Sequence, residues 1–392
     1  MTYNFDEIVS RENTNSVKYD IRAELFGKED VIPMWVADMD FRTPDFIIKA
    51  IKTRLEHEIL GYSIKPGSYY DSIIKWLDRR HNWDIKKEWI SFSPGVVPAL
   101  NMSVMAYSRP GDKIILQSPV YHPFYAAIEN NGRRIVDNPL RQENGRYYFD
   151  FDDLKKKIDA DVKMLFLCNP HNPVSRAFTE DELSELAAIC LENNILIIAD
   201  EIHSDLIFPG YRHIPMASLS DDIAENTITC MAPSKTFNLA GMSTSFLVIK
   251  NRELRHRYNK VLDQVHISSG NLFGTVALEA AYTGGDEWLG QLMTYLKKNA
   301  ELVRNYLSEN IPEIKLTDPE ATYLLWLDCR ELKMNAKKLK KFIIHEAGLG
   351  LNDGAMFGPG GEGFQRMNIA TPAGIVEKSL QQLKNAVDKI KS

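Results

Sequence analysis

Short apolar runs separated by stretches of mixed polarity mark out the middle of the chain. Lys113-Ile114-Ile115-Leu116-Gln117, Lys163-Met164-Leu165-Phe166-Leu167-Cys168 and Ile195-Leu196-Ile197-Ile198-Ala199 are such runs, and Thr227-Ile228-Thr229-Cys230-Met231 reads as a fourth. Runs that are apolar at consecutive positions predict strands buried on both faces, as in a parallel sheet covered by helices. Between the second and third runs, Thr179 followed by Glu180-Asp181-Glu182 has the chemistry of a helix N-cap, which predicts a helix through about Asn193. Strand, helix and strand in this order make a β-α-β unit.

The pair Gly284-Gly285 then punctuates the chain, and a long helix is expected from about Glu287. Tyr323-Leu324-Leu325-Trp326-Leu327 and Phe364-Gln365-Arg366-Met367-Asn368-Ile369 read as strands beyond it. The expectation is an α/β protein with a large domain over residues 48–286. Residues 1–47 and 287–392 would combine into a smaller α+β domain. No internal repeat or low-complexity linker interrupts this plan.

Composition narrows the classes of function. An apolar share of 44% and a charged share of 26% exclude a disordered chain. The net charge of −6, with both signs interspersed, leaves no basic stripe for a nucleic-acid backbone. The lysine runs at 155–157 and 337–341 read as solvated helix faces. The N-terminal residues lack the basic start and apolar stretch of a signal peptide, and no window approaches the roughly 18 apolar residues that span a bilayer. Four scattered cysteines without a CxxC fit a reduced cytoplasm.

Ligands of open α/β sheets bind beyond the carboxyl ends of the strands, so the residues just after each apolar run carry the information. Asn169-Pro170-His171-Asn172-Pro173 follows one run, Asp200-Glu201-Ile202-His203 the next, and Ala232-Pro233-Ser234-Lys235 the last. Each has an ordinary alternative: Lys235 as a surface lysine, Asp200 as a helix N-cap, Asn172 as a turn residue between prolines. Their joint placement brings an amide, a carboxylate and a lysine to one crevice. A buried lysine is nucleophilic toward an aldehyde, and a carboxylate keeps a pyridine nitrogen protonated. That pair suits pyridoxal 5'-phosphate (PLP). The segment Ile90–Leu100 reads as strand, tight turn at Gly95, then helix, a cradle for a phosphate at a helix start, though GxGxxG and Walker patterns are absent. His122, His171 and His203 fall at no metal-ligand spacing, and no metal is expected.

At these motifs the sequence resembles fold-type I PLP enzymes, within them the cystathionine β-lyase (C–S lyase) branch of the class I/II aminotransferase family. The likeness runs from Trp35-Val36-Ala37-Asp38-Met39-Asp40-Phe41 through Gly61-Tyr62-Ser63, Ser93-Pro94-Gly95-Val96 and Ser118-Pro119-Val120-Tyr121. It continues through Asn169–Pro173 and Asp200–Asp205 to Ser234-Lys235-Thr236-Phe237-Asn238-Leu239-Ala240-Gly241 and Arg366. It implies a mostly parallel seven-stranded sheet between helices. It also implies a Schiff base on Lys235, with Lys235, Asp200 and Tyr121 as the catalytic group. Asp200 would meet the pyridine nitrogen, Asn172 the phenolic oxygen and Tyr121 the ring face. Gly95, Val96, Val97 and Ser234 would hold the phosphate, with His203 a further cofactor contact. Arg366 would clamp the substrate carboxylate, with Ala37 and Tyr62 also at the substrate. Tyr62 would reach the neighbouring subunit's phosphate, implying a homodimer with shared sites.

Two positions depart from the common aminotransferase pattern. His203 stands where tyrosine is usual, and Ser243 where an arginine binds phosphate. The implied reaction is β-elimination from L-cystathionine or related cysteine S-conjugates, giving a thiol, pyruvate and ammonia. The alternative is an aminotransferase for hydrophobic or aromatic amino acids, consistent with Trp35, Tyr62, Tyr121 and Tyr125. A third reading is a regulatory protein that keeps the fold and binds a partner.

Overall fold

Seven strands form one sheet: β1 Ile90–Ser93, β2 Lys113–Leu116, β3 Arg134–Asp137, β4 Val162–Cys168, β5 Leu196–Asp200, β6 Thr227–Met231 and β7 Ser245–Val248. The computed structural model describes residues 2–391. The strand order is β1-β7-β6-β5-β4-β2-β3, and only β7 runs antiparallel to its neighbours. The sheet is thus mostly parallel and seven-stranded.

Alternation along each strand explains why the apolar runs are continuous. Ile114, Leu116, Phe166, Ile198 and Ile228 pack into one cluster, whereas Ile115, Leu165, Leu167, Ile197 and Ala199 pack into another on the opposite face. The first face is covered by the helices Val96–Tyr107 (α3) and Arg252–Gln264 (α6). The second is covered partly by Glu180–Glu192 (α4), where Thr179 and Glu182 form the reciprocal capping box. Earlier in the chain lie Asp45–Leu55 (α1) and Gly67–His81 (α2), and a single turn, Pro233–Thr236 (α5), follows β6.

Leu272–Gly284 (α7) leads into the 25-residue helix Asp286–Asn310 (α8) across Gly285. A Cβ on Gly285 would come within 2.2 Å of the Phe237 ring, so the glycine is required by close packing. The C-terminal part builds a second, antiparallel sheet from β8 Lys315–Leu316, β9 Leu324–Asp328, β10 Asn352–Asp353 and β11 Phe364–Asn368, in the order β8-β9-β11-β10. The final helix Ala373–Lys391 (α9) packs with α8. Ile32–Pro33 pairs in parallel with Leu349–Gly350, so the N-terminal segment joins the C-terminal part. The strands expected to begin at Ile195 and Tyr323 each begin one residue later. β5 extends to Asp200 because that residue still pairs with both Cys168 and Cys230. No helix among the described residues is long and apolar enough to cross a membrane.

Candidate active site

β4, β5 and β6 end at one edge of the sheet, with Cys168, Asp200 and Cys230 in register. Side-chain alternation turns Asp200 to the face it shares with Ile198, the face roofed by α3. The chain then leaves β6 through Ala232 directly into α5, whose Pro233 occupies the first helical turn and whose third residue is Lys235. A cavity of about 180 Å³ opens where these ends meet α3. Ala37, Gly95, Val96, Val97, Tyr121, Asn172, Asp200, His203, Ser234 and Lys235 all line it. The expected set therefore converges, apart from Arg366, which stands just behind the wall, and Tyr62, which lies elsewhere.

Lys235 Nζ donates to the carbonyl of Ala37 at 2.7 Å, and that same carbonyl accepts from the Tyr323 hydroxyl at 3.0 Å. Burial lowers the lysine to about 8, assisted by the charge of Arg366 and opposed by Asp38 and Asp200. Asp200 moves the other way. Burial raises it to about 7, against the Ile202 amide that donates to its Oδ1 at 3.1 Å. His203 is 2% exposed, and burial, with Lys235 and Arg366 nearby, drives it well below its ordinary value, so the ring is neutral. Its Nδ1 has no hydrogen-bond partner in the protein. His203 lines the cavity, so this nitrogen is free to bond a group bound there.

Arg366 is 4% exposed and sits on β11. Its Nη1 donates to Asn172 Oδ1 at 2.9 Å, and its Nη2 to the Trp35 carbonyl at 2.9 Å and to Asn352 Oδ1 at 2.5 Å. All three acceptors are neutral, and burial lowers the guanidinium to about 10. Bonded only to neutral acceptors, this buried guanidinium carries a charge with no anionic partner among the described residues. The bond from Arg366 also occupies the oxygen of Asn172, leaving donation to its Nδ2.

The strand-to-helix segment expected to cradle a phosphate differs in one detail from the expected tight turn. Gly95 has a φ of 176°, extended backbone that any residue adopts, and caps α3 without turning sharply. Its lack of a side chain matters for space: a Cβ would sit 3.3 Å from Pro98 Cδ. The first amides of α3, Val96 and Val97, have no carbonyl four residues back within the helix and form the positive end of its dipole. Ser234, Ser243 and Thr244 bring hydroxyls to the same cavity. Thr244 escaped the sequence reading because β7 is antiparallel. The start of that strand, not its end, lies at the edge where the parallel strands finish. Asn352 and Tyr323 were also missed, since both belong to the C-terminal part, whose packing against the large sheet has no local signal.

Tyr62 does not face this cavity. It is fully exposed within residues 57–66, a stretch without helix or strand that also exposes Ile59, Leu60 and Ile64.

Comparison with known proteins identifies the family of the chain. The family model "Aminotransferase class I and II" matches residues 29–389. The chain is 43% identical to "Cystathionine beta-lyase PatB" of Bacillus subtilis, over 98% of this chain and 100% of that protein. Among solved structures it is similar to PLP-containing cystalysin from Treponema denticola, with a TM-score of 0.96 and 39% identity over the whole of both chains. The PLP-bound C-S lyase from Staphylococcus hominis superposes with a TM-score of 0.91 and 36% identity over 98% of each chain. With a family model spanning most of its length and a full-length relative at this identity, the chain belongs to the class I and II aminotransferase family.

Proposed function

We propose that the chain is a PLP-dependent carbon–sulfur β-lyase. It takes L-cystathionine or a related cysteine S-conjugate, and with one water yields a thiol, pyruvate and ammonia. The observation that carries the reading is a buried lysine on the cavity wall, Lys235, with the buried guanidinium of Arg366 directly behind that wall on Asn172, neither in an ion pair among the described residues. One amine for an aldehyde and one fork for an α-carboxylate are what a PLP enzyme needs from its protein. The unpartnered His203 Nδ1 and the open end of α3 fit the same cofactor. Similarity to the Bacillus subtilis cystathionine β-lyase and to cystalysin supports the lyase over the aminotransferase.

PLP, when bound, supplies an aldehyde for the substrate amine and a protonated ring that accepts the electron pair left at Cα. Lys235 would hold the cofactor and afterwards take the proton from Cα, a task suited to an amine lowered to about 8. Asp200 would hold the proton on the ring nitrogen, and Asn172 would donate to the phenolic oxygen. Tyr121, half-buried at the wall, would cover the ring face. Gly95, Val96, Val97 and Ser234 would bind the phosphate, with His203 a further contact at the cofactor. Arg366 would orient the substrate so that the Cα–H bond stands toward Lys235, with Ala37 lining the substrate side. The sulfur leaves Cβ with the electron pair of the Cβ–S bond, the pair left at Cα closes the Cα–Cβ double bond, and the thiolate takes up the proton that Lys235 removed.

The exposed Tyr62 segment supports a homodimer in which each Tyr62 completes the partner's site, since an apolar exposed stretch is stabilised by a second copy. Four free, buried thiols support a cytoplasmic home. The test is to incubate holoenzyme with L-cystathionine and no oxo acid. Sustained release of pyruvate and thiol is expected. Amino-group transfer that starts only when an oxo acid is added would make the protein an aminotransferase.

A further inference from the structure

Asp205 is buried, yet it lines no part of the cavity. It lies in the turns that follow β5, where Ser204 N bonds Glu201 O and Leu206 N bonds His203 O. Its carboxylate accepts from Thr236 Oγ1 at 2.9 Å and from Trp76 Nε1 at 3.1 and 3.2 Å. His81 Nε2 stands 3.3 Å away and Arg80 Nε 3.8 Å away. Burial raises this carboxyl, but His81, Arg80 and Thr236 outweigh it and hold the group below the usual carboxylate range. Asp205 is therefore a buried anion.

That anion joins three segments. Trp76, Arg80 and His81 belong to α2, the turn itself carries His203 and follows directly on Asp200, and Thr236 is the neighbour of Lys235 in α5. α5 has only four residues, too few for a helix to hold its own orientation. Its direction must come from outside, and the Thr236–Asp205 bond supplies a fixed point one residue from the lysine. A buried carboxylate is costly unless fully bonded, and a fully bonded network gives a unique geometry.

We propose that Asp205, acting through Thr236, is a positioning residue for Lys235, fixing the lysine against Asp200 and His203. The inference rests on the reading of the cavity as a PLP site. The position of the lysine nitrogen relative to the ring and to Asp200 sets how tightly that nitrogen holds its proton. The groups facing Lys235 are Asp200, His203, Asp38 and Arg366, and those facing Asp205 are His81 and Arg80 on α2, Tyr282 on α7 and His213 in the loop between β5 and β6.

The experiment uses full-length holoenzyme with Asp205→Asn, Thr236→Val and Thr236→Ser. Two quantities are read: the pH midpoint of the visible absorbance of bound PLP, and the rate of PLP release into excess alkaline phosphatase. Thr236→Val and Asp205→Asn are expected to move the midpoint by about half a pH unit or more. Both should also speed release by about fivefold, the weight of one hydrogen bond. Thr236→Ser should restore both readings, which loss of general stability would not do. If Asp205→Asn does not fold, Thr236→Val, which keeps volume and loses only the hydroxyl, carries the test alone. Wild-type midpoint and release in Thr236→Val would overturn the proposal. Wild-type protein with no visible band at all would overturn the PLP reading beneath it, a result seen before any variant is compared.

Discussion

Arg366 Nη1 donates to Asn172 Oδ1 across 2.9 Å, a bond that ties the C-terminal sheet to the loop after β4. The same guanidinium spends its other bonds on the Trp35 carbonyl and Asn352, so it is held in one orientation by neutral groups. Preorganised in this way, it loses little freedom when a carboxylate arrives. Lysine at this position would keep the charge but lose the planar fork. Arg366→Ala is expected to lower kcat/KM for L-cystathionine by about 10²- to 10³-fold, and Arg366→Lys by on the order of tenfold. Steady-state thiol release measures both. Arg366→Lys within twofold of wild type would remove the guanidinium from substrate recognition.

Asp200 makes a prediction about the cofactor-free chain. Its carboxyl stands at about 7 in the folded state, against an ordinary value of 3.8. The folded chain therefore binds more protons than the unfolded one between those values, and stability falls as pH rises through about 4 to 7. The loss by pH 7.5 is of order 2–4 kcal/mol. Lys235, lowered to about 8, acts only above this window, where it returns stability as pH rises toward its ordinary value. The thermal midpoint of the cofactor-free wild type, taken relative to Asp200→Asn, should drop by a few degrees between pH 4.5 and 7.5. Parallel pH profiles for the two proteins would contradict a raised Asp200.

Tyr62 and Lys235 allow a test by subunit mixing. If each Tyr62 serves the partner's cavity, Tyr62→Ala and Lys235→Ala homodimers are both impaired in every site. A mixed dimer regains one intact site. Unfolding and refolding an equal mixture should restore about a quarter of wild-type activity, from half the dimers having one good site each. No gain over the two separate variants would mean that Tyr62 does not act across an interface.

Much of the site was legible because it obeys local rules. Asp200 and Lys235 each follow an apolar run, and a parallel strand that ends at the site edge delivers its next residues to the ligand. The capping box of Thr179 and Glu182 announced α4 within one residue of its end. Arg366 needed the family resemblance, because β11 lies outside the large sheet and its approach to Asn172 is a long-range contact. Thr244 was hidden by the reversed direction of β7, which no apolar run reveals. Thr236 and Asp205 meet through a hydrogen bond between α5 and the turn after β5, and their spacing along the chain carries no sign of it.

If the cavity at these strand ends holds PLP, the link is to Lys235. Reducing the holoenzyme with sodium borohydride would fix any cofactor–lysine link, and proteolysis with mass spectrometry would locate it. The added phosphopyridoxyl mass is expected on the peptide containing Lys235 and on no other lysine in stoichiometric amount. The mass on a different lysine, or an undiminished label in Lys235→Ala, would contradict it.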